Sequence, residues 1–231
     1  MHQRGEIFMK ASKVLIADDH EVVRHGIRVM VQGCPNLEVC GEASDGRQAV
    51  QLAAKLRPDI VIIDIGMPQL NGLDATRQIV HMDPNVKVLI LTMHESEQIV
   101  REVLAAGARG YLLKSDAGRD LISAIEALAG RKTFFTSKVA EIVLETYLKG
   151  GPEQPVSKDV LTSREREVVQ LLAEGKSTKE VAVALGLSVK TAETHRSNLM
   201  RKLDVHSVSQ LVLYAVRNNI VQVVAPPADQ A

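Results

Sequence analysis

Five polar residues with the potential for chemistry follow predicted strands, at the points where those strands end. Two carboxylates come after the first strand, a third follows the third strand, a hydroxyl follows the fourth and an ammonium the fifth: Asp18, Asp19, Asp64, Thr92 and Lys114. In an open parallel sheet the carboxyl ends of the strands meet at one edge, where such sheets bind their ligands. We therefore expect these side chains to lie close together despite their separation in sequence.

The three carboxylates would form a cluster at this edge, where they repel one another and raise one another's pKa unless they share a cation. Their hard oxygens suit Mg²⁺, which keeps waters and a phosphoryl oxygen as its remaining ligands. The ion would screen a carboxylate nucleophile from the phosphoryl anion that it attacks, while Lys114 and Thr92 hold the other phosphoryl oxygens. The pattern favours phosphoryl transfer to a carboxylate, although a lone acidic pair after a strand is more often a solvated turn.

The segment from Lys13 to Gly130 alternates β-rich runs with helical patterns five times, which is typical of a doubly wound parallel α/β sheet. The predicted strands are Val14–Ala17, Leu37–Gly41, Ile60–Ile63, Val88–Leu91 and Gly110–Leu113. The predicted helices lie near residues 21–32, 46–57, 72–82, 96–106 and 117–129. The third and fourth strands are almost wholly apolar, as strands covered by helices on both faces should be.

Several motifs in this segment together resemble the receiver domain of bacterial response regulators. They are Asp18-Asp19, the stretch Asp64-Ile65-Gly66-Met67-Pro68 with Asn71-Gly72, the residue Thr92, and Tyr111-Leu112-Leu113-Lys114. Each motif is weak alone, but all of them occur in order at the ends of the correct strands. The resemblance covers residues 13–130 and implies a flavodoxin-like, five-stranded sheet.

The resemblance also implies a role for each residue of the site. Asp64 is the implied phosphoacceptor, which becomes a 4-aspartylphosphate. The implied Mg²⁺ ligands are Asp19, Asp64 and the Gly66 carbonyl, with Asp18 acting directly or through water. Such a domain is not an enzyme but a phosphoacceptor, with at most magnesium-dependent self-phosphorylation and self-dephosphorylation.

Three further positions near the site depend on the resemblance for their interpretation. Tyr111 stands where receivers carry an aromatic ring that follows the Thr92 hydroxyl inward; the alternative is an ordinary tyrosine at a strand end. Ser115 follows Lys114 where many receivers have proline, a substitution common in regulators that resemble NarL and FixJ. His94 has two interpretations, an influence on the lifetime of the phosphoryl group or a plain surface histidine.

A connector over residues 131–157 separates this segment from a second module. It predicts an amphipathic helix over about Ser137–Leu148, followed by Gly150-Gly151-Pro152-Glu153-Gln154-Pro155, which can neither continue a helix nor join a strand. We place the receiver at 12–130 and the second domain at 158–222.

The second domain contains four helical patterns and no strand pattern. Capping boxes are expected at the start of three helices, in the pairs Thr162 with Glu165, Ser177 with Glu180, and Ser207 with Gln210. Gly175 and Gly186 stand where helices should end. Ser188 begins a predicted helix over Val189–Lys202, and the turn Leu185-Gly186-Leu187 before it has helix-turn-helix spacing.

The long helix has an inward stripe and a polar stripe on different faces. The inward stripe is Ala192, Leu199 and Leu203, and the polar stripe is Lys190, Glu193, Thr194, Ser197 and Arg201. A polar stripe is usually a solvated helix face. Here, however, Leu161-Thr162-x-Arg164-Glu165, Gly175, Ser188-x-x-Thr191, His195 and Lys202-Leu203 resemble the LuxR-type DNA-binding domain over residues 160–220.

By that resemblance, Glu193, Thr194 and Ser197 face base edges in the major groove of duplex DNA. The residues placed for phosphates are Lys179, Lys190, His195 and Arg201, because phosphate contacts supply affinity and base contacts supply specificity. His195 has an equal alternative as a half-buried packing residue. For Glu193 the alternatives are a base contact or an exposed pair with Lys190 or Arg196.

The last helix, about Val208–Asn218, carries an apolar ridge that includes Leu211, Val212 and Ala215. Such a ridge on a terminal helix is often simply core. In LuxR-type domains it is the dimer contact, and paired DNA half-sites favour two-fold dimers. The resemblance therefore implies a homodimer.

Composition and charge support two domains with different partners. Residues 12–130 have 12 Lys and Arg against 16 Asp and Glu, a net −4, whereas residues 158–222 have 10 against 7, a net +3. Aromatics are only 3% of the chain, which argues against base stacking on single strands. Cys34 and Cys40 match neither a zinc nor a redox pattern. Without a signal peptide or membrane-span pattern, the protein is predicted to be cytoplasmic.

The combined interpretation is a transcription regulator of the NarL/FixJ type. A sensor histidine kinase would donate the phosphoryl group to Asp64, which would control dimerisation and operator binding; RNA polymerase is a further candidate partner. One alternative is a degenerate receiver that works without phosphate, against which Asp18, Asp19, Asp64, Thr92 and Lys114 all count. The other is a doubly wound enzyme, but the chain lacks a P-loop, a dinucleotide-binding glycine motif and a general acid for turnover.

Overall fold

The computed structural model describes residues 11–93, 96–136, 139–142 and 161–222. The first part is a parallel sheet of five strands, in the spatial order β2-β1-β3-β4-β5. The strands are β1 Ser12–Ala17, β2 Leu37–Ala43, β3 Ile60–Asp64, β4 Lys87–Thr92 and β5 Gly110–Leu113. The predicted doubly wound fold is confirmed, and every predicted strand overlaps an observed one. This strand order brings the ends of β1, β3 and β4 side by side.

Helices cover both faces of the sheet and enclose two apolar cores. They are α1 Glu21–Gln32, α2 Gly46–Leu56, α3 Gly72–Met82, α4 Glu97–Ala105 and α5 Ala117–Ala129, with a short 3₁₀ turn over Lys114–Asp116. Side chains of α2, α3 and α4 pack on one face, and those of α1 and α5 on the other. As the apolar sequence predicts, β3 is buried along its whole length.

The loop between β3 and α3 is held tightly against the end of β3. Gly72 N donates to the Ile65 carbonyl at 2.9 Å, and a Cβ at Gly72 would lie 1.9 Å from the Asp64 carbonyl oxygen. Only glycine fits this approach. Asn71 caps α3 by accepting from Asp74 N at 2.9 Å. The loop that follows Asp64 is therefore fixed to both the strand and the helix.

The second part consists of helices packed around a separate core. They are α6 Ser163–Ala173, α7 Thr178–Leu185, α8 Val189–Lys202 and α9 Val208–Arg217. Both bonds of the predicted capping box are present at Thr162 and at Ser177. Gly186 ends α7 with φ 62°, the left-handed conformation that favours glycine, and so forms the turn into α8.

The third predicted capping box is only half right. Ser207 does cap α9 by accepting from Gln210 N at 3.2 Å. The Gln210 side chain accepts instead from His206 N at 2.7 Å, one residue before the cap. Ser207 has the extended backbone of a capping residue, and α9 begins directly after it, as predicted. Only the second bond of the capping box, from Ser207 N to the Gln210 side chain, is replaced.

The beginning of the connector remains attached to the receiver. Phe134 forms a parallel bridge with Gly110 at the edge of β5, and Tyr111 N donates to the Phe134 carbonyl at 2.9 Å. Residues 139–142 are helical, and Val139 is buried in the core on the α2–α4 side. The rest of the predicted linker helix and the segment 150–155 lie outside the described residues. No helix in the described ranges has the length and apolar character needed to cross a membrane.

Candidate functional site

The structure brings the predicted acidic residues and Lys114 together at the carboxyl ends of the strands. Lys114 Nζ lies 2.7 Å from Asp18 Oδ2 and 2.9 Å from Asp64 Oδ2. Asp18 and Asp64 are buried, with exposed fractions of 1% and 6%, whereas Asp19 is exposed. One ammonium thus bridges two buried carboxylates from neighbouring strands.

Burial and charge act on the proton affinities of this cluster in opposite directions. Burial raises the pKa of Asp64, the charge of Lys114 opposes that rise, and the negative charge of Asp18 adds to it. Burial alone would lower the pKa of Lys114, but the hydrogen bond that Lys114 donates to Asp18 and the charge of Asp64 outweigh it and raise that pKa. Lys114 therefore stays cationic, and Asp64 is a carboxylate that gains from any added positive charge.

The remaining predicted receiver residues surround the same edge. Thr92 is fully buried at the end of β4, the strand that pairs with β3 beside Asp64. Tyr111 has an exposed fraction of only 1% and packs in the core on the α2–α4 side, so its ring faces inward. Gly66 follows Asp64 in the loop and is half-buried. His94 lies outside the described residues.

A histidine that the sequence analysis did not select also lies at this cluster. His20 Nδ1 is 2.8 Å from Asp19 Oδ1 and 3.2 Å from Asp18 Oδ1. Ligand atoms of Asp18, Asp19, His20 and Asp64 all lie within 4.8 Å of one another, close enough to share one metal ion. The donor set is mainly carboxylate oxygen, which fits Mg²⁺. His20 directly follows Asp18-Asp19 in the sequence, and this adjacency was the one indication that it could join the cluster.

The second candidate site is the exposed face of α8. Ser188 caps this helix by accepting from Thr191 N at 3.1 Å. Ala192 and Leu199 are fully buried and Leu203 is half-buried, which confirms the inward stripe. The polar stripe faces solvent in full, and it consists of Lys190, Glu193, Thr194, Ser197 and Arg201.

Side-chain contacts on this face bear on the alternatives given above for Glu193 and His195. Arg196 donates to Thr178 Oγ1 at 3.0 Å and so ties α8 to α7. Among the described residues, Glu193 forms no ion pair with Lys190 or Arg196, so its carboxylate remains available. His195 is half-buried, which matches its packing alternative, and Lys179 on α7 is exposed. The exposed face is continuous and carries both basic and hydrogen-bonding groups.

The predicted dimer ridge on α9 needs correction. Leu211 and Ala215 are fully buried in the core of their own domain, so these two residues are core and not a free surface. Val212 is half-buried at the edge of the core. The exposed apolar residues of α9 are Val208, at 43%, and Leu213, at 55%. The helix has two adjacent apolar stripes, and the sequence pattern does not show which of them faces inward.

The second domain contacts the receiver chiefly through one face of α6 and also through the segment after α9. The Gln170 amide bridges two backbone groups of the β3–α3 loop, because its Oε1 accepts from Asn71 N at 2.7 Å and its Nε2 donates to the Met67 carbonyl at 3.0 Å. Gln69 N in the same loop donates to Glu174 Oε1 at 3.0 Å. Burial raises the pKa of Glu174 despite these hydrogen bonds.

Ion pairs extend this contact along α3 and α2. Arg166 Nε lies 3.0 Å from Asp74 Oδ1, and both side chains are nearly fully buried. Glu167 Oε2 lies 2.9 Å from Arg47 Nη2 of the receiver. The sequence analysis missed these residues. Arg166 and Gln170, at i and i+4 of α6, indicated a polar helix face. Their partners are about ninety or more residues away in sequence and can be identified only from the packing of the two domains.

An α/β receiver-like domain with an acidic, lysine-bridged edge, joined to a helix-turn-helix, defines a signalling protein with a DNA-binding output. The family model "Response regulator receiver domain" matches residues 14–126. The model "Bacterial regulatory proteins, luxR family" matches residues 159–215. The two matches coincide with the two parts of the fold.

Individual proteins match over nearly the whole chain. Transcriptional regulatory protein LiaR of Bacillus subtilis is 39% identical over 209 residues, covering 90% of this chain and 99% of LiaR. The solved structure of a complex of the two-component response regulator RcsB with DNA is 30% identical, with a TM-score of 0.56, and covers 90% of this chain and 99% of that one. The chain therefore belongs to the NarL/FixJ-type response regulators, in which a receiver domain is joined to a LuxR-type DNA-binding domain.

Proposed function

We propose that Asp64 is the phosphoacceptor of this response regulator and that a sensor histidine kinase is its phosphoryl donor. The observation that carries this assignment is the Lys114 ammonium, held 2.9 Å from Asp64 and 2.7 Å from Asp18 at the strand ends. Asp64 is the central carboxylate of the cluster, on β3, with β1 and β4 on either side. It is also the residue whose loop contacts the DNA-binding domain.

In the proposed step, an Asp64 carboxylate oxygen forms a bond to phosphorus as the bond from phosphorus to the histidine nitrogen breaks. The electron pair of the broken bond leaves with the imidazole, and the product is an acyl phosphate. Lys114 and the Thr92 hydroxyl would hold oxygens of the transferred group, and Tyr111 would follow Thr92 inward. All of these roles are assigned to side chains at or next to the carboxyl ends of the strands.

Mg²⁺ would be held by Asp19, Asp64 and the Gly66 carbonyl, with Asp18 contributing directly or through water. When bound, it neutralises negative charge that otherwise repels the incoming phosphoryl group. The chain's own contribution is the placement of the carboxylates: Asp18 is fixed by Lys114 and by His20 N, which donates to Asp18 Oδ1 at 2.9 Å.

The proposed output is binding of a homodimer to a duplex DNA operator. The structure described as two RcsB dimers bound to two parallel DNAs, 29% identical with a TM-score of 0.55, supports this assembly. In this chain the candidate contact between subunits is the outer apolar surface of α9, formed by the exposed Val208 and Leu213 with the half-buried Val212 and Val216. A decisive experiment is selection of bound DNA from a random library with and without acetyl phosphate. Enrichment of a paired half-site that strengthens with acetyl phosphate supports the proposal; no enrichment in either case contradicts it.

Glu193→Ala is expected to relax base preference at one operator position. A carboxylate in the major groove can accept a hydrogen bond from cytosine N4, and a good base contact discriminates by about 1–3 kcal/mol. Binding to a randomised operator library at fixed salt measures this effect, and Arg201→Ala on the same face is the control for a phosphate contact. If the preference is unchanged at every position while affinity rises for all sequences, Glu193 is only a solvated charge.

Leu213→Arg is expected to weaken binding to a two-half-site operator at least ten-fold while leaving binding to one half-site unchanged. The reason is that an arginine in the contact between two subunits prevents them from pairing and so from adding their DNA contacts. Titration of both DNAs in gel-shift experiments compares the two values. Gln210→Arg adds the same charge outside the outer apolar surface and should bind both DNAs as the unaltered protein does. Equal binding by Leu213→Arg and Gln210→Arg would exclude this surface.

A further inference from the structure

The face of α6 that contacts the receiver is polar and yet buried. Arg166, Glu167 and Gln170 have exposed fractions of 7%, 7% and 1%. Buried polar groups are costly unless they are hydrogen-bonded, and these three find partners in the receiver. The opposite face of the helix carries the apolar core of its own domain. The polar face is therefore shaped for the receiver and not for the fold of the DNA-binding domain.

The surface that this face binds is the loop that follows the phosphoacceptor. Gln170 contacts backbone groups of Met67 and Asn71, and its Oε1 also accepts from the Asn71 side chain at 3.4 Å, so it senses the path of the loop. The segment that follows α9 adds to the contact, because Asn71 Nδ2 donates to the Ile220 carbonyl at 3.3 Å. Gln222 Oε1 lies 2.5 Å from the point where a Cβ of Gly66 would stand. A change in this loop must alter these contacts.

The docked domain also narrows the approach to the acidic cluster. A cavity of about 200 Å³ remains between the two domains, and Asp19 and Gly66 line it on one side with Glu174, Asn219 and Gln222 on the other. By contrast, the base-facing residues of α8 are exposed in the same docked arrangement. The receiver therefore leaves the recognition helix uncovered while its own phosphorylation site is partly covered.

We propose that α6 docks on the loop over residues 66–71 as a brake on phosphorylation of Asp64, without blocking contact between α8 and DNA. This inference rests on the proposed function, because it requires Asp64 to be the phosphoacceptor. Docking and phosphorylation involve the same loop. At equilibrium, docking therefore disfavours the phosphorylated form by the same factor by which phosphorylation disfavours docking. Phosphorylation then releases the domain for pairing, and DNA contact by a single domain is the same before and after release.

The test uses the full-length protein with Gln170→Ala, which removes both contacts to the loop. Phosphoramidate with Mg²⁺ is the phosphoryl donor, and the rate of incorporation is followed by mass spectrometry. We expect the rate to rise about five-fold or more, because undocking increases the fraction of molecules whose Asp64 is open to the donor. Glu174→Ala, which removes the contact to Gln69 N, should act in the same direction. Gln210→Ala should not, because the Gln210 side chain accepts from His206 N within its own domain.

Two further measurements separate docking from a general loss of structure. Amide hydrogen exchange should quicken in the peptide that contains Gln69 and Asn71, since both backbone N–H groups lose acceptors on α6. Affinity for a single DNA half-site should stay within about two-fold of the unaltered protein, because α8 is not covered. An unaltered half-site affinity also shows that the variant domain is folded.

The inference is overturned if Gln170→Ala and Glu174→Ala are phosphorylated at the unaltered rate, whether or not exchange quickens. It is equally overturned if half-site affinity rises many-fold, because the receiver would then be masking α8. Phosphorylation that persists in Asp64→Asn would instead contradict the proposed function. The two failures are therefore distinguishable.

Discussion

Asp64→Asn is expected to abolish phosphoryl incorporation from acetyl phosphate, and the unaltered protein should require Mg²⁺ for it. The substitution preserves size but replaces the nucleophilic carboxylate with an amide, which cannot form the acyl phosphate. Mg²⁺ is required because Asp18, Asp19 and Asp64 together repel the phosphoryl anion, and the single Lys114 ammonium is already shared between two of them. The expected loss is complete within the detection limit of intact-protein mass spectrometry.

Asp204→Asn is the matched control for this substitution. The Asp204 side chain is 94% exposed, far from the cluster in sequence and fold, and should not alter phosphorylation. Undiminished phosphorylation of Asp64→Asn would refute the site, as would labelling of the unaltered protein in excess EDTA. Transfer of the label to another carboxylate in the Asp64 variant would appear in peptide mapping.

Leu211→Ala is expected to destabilise the DNA-binding domain by about 2–5 kcal/mol, the range for removing a large aliphatic side chain from a packed core. Leu211 is fully buried between α9 and the rest of the domain core. Urea unfolding followed by circular dichroism should show an earlier transition for this variant, analysed as the transition of one domain because the chain has two.

Leu213→Ala provides the comparison within the same helix. Leu213 is 55% exposed, and a surface substitution of this kind usually changes stability by no more than about 0.5 kcal/mol. If both variants unfold at the same urea concentration, the assignment of the two apolar stripes of α9 is wrong. If only Leu213→Ala is destabilised, the helix is rotated relative to the structure described.

The architecture of the receiver was predictable because β3 and β4 are apolar runs and every strand is bounded by turn residues. The grouping of the candidate site residues was predictable for a related reason: in a parallel sheet, the strand ends alone place Asp64, Thr92 and Lys114 at one edge. His20 was missed because its role depends on the direction of a side chain at the start of α1, which spacing does not reveal. The strand order was therefore enough to locate the candidate site, whereas the position of His20 became clear only from the folded structure.

Periodicity worked on α8 but failed on α9 for a physical reason. On α8 the apolar stripe is narrow and the other residues are polar, so only one face can be buried. On α9 two apolar stripes adjoin, and both Leu211 and Leu213 satisfy a helical pattern. The contacts of Gln170 and Arg166 were beyond sequence reasoning because they join different domains across a connector, and no local pattern indicates how two domains dock.

The polar character of the α6 face has a consequence for the solubility of the activated protein. If docking were apolar, release would expose a hydrophobic patch, which promotes association with unrelated surfaces. Here the exposed groups would be Arg166, Glu167 and Gln170, which water solvates well. In the proposed open form, molecules gathered on an operator would therefore not aggregate through this surface.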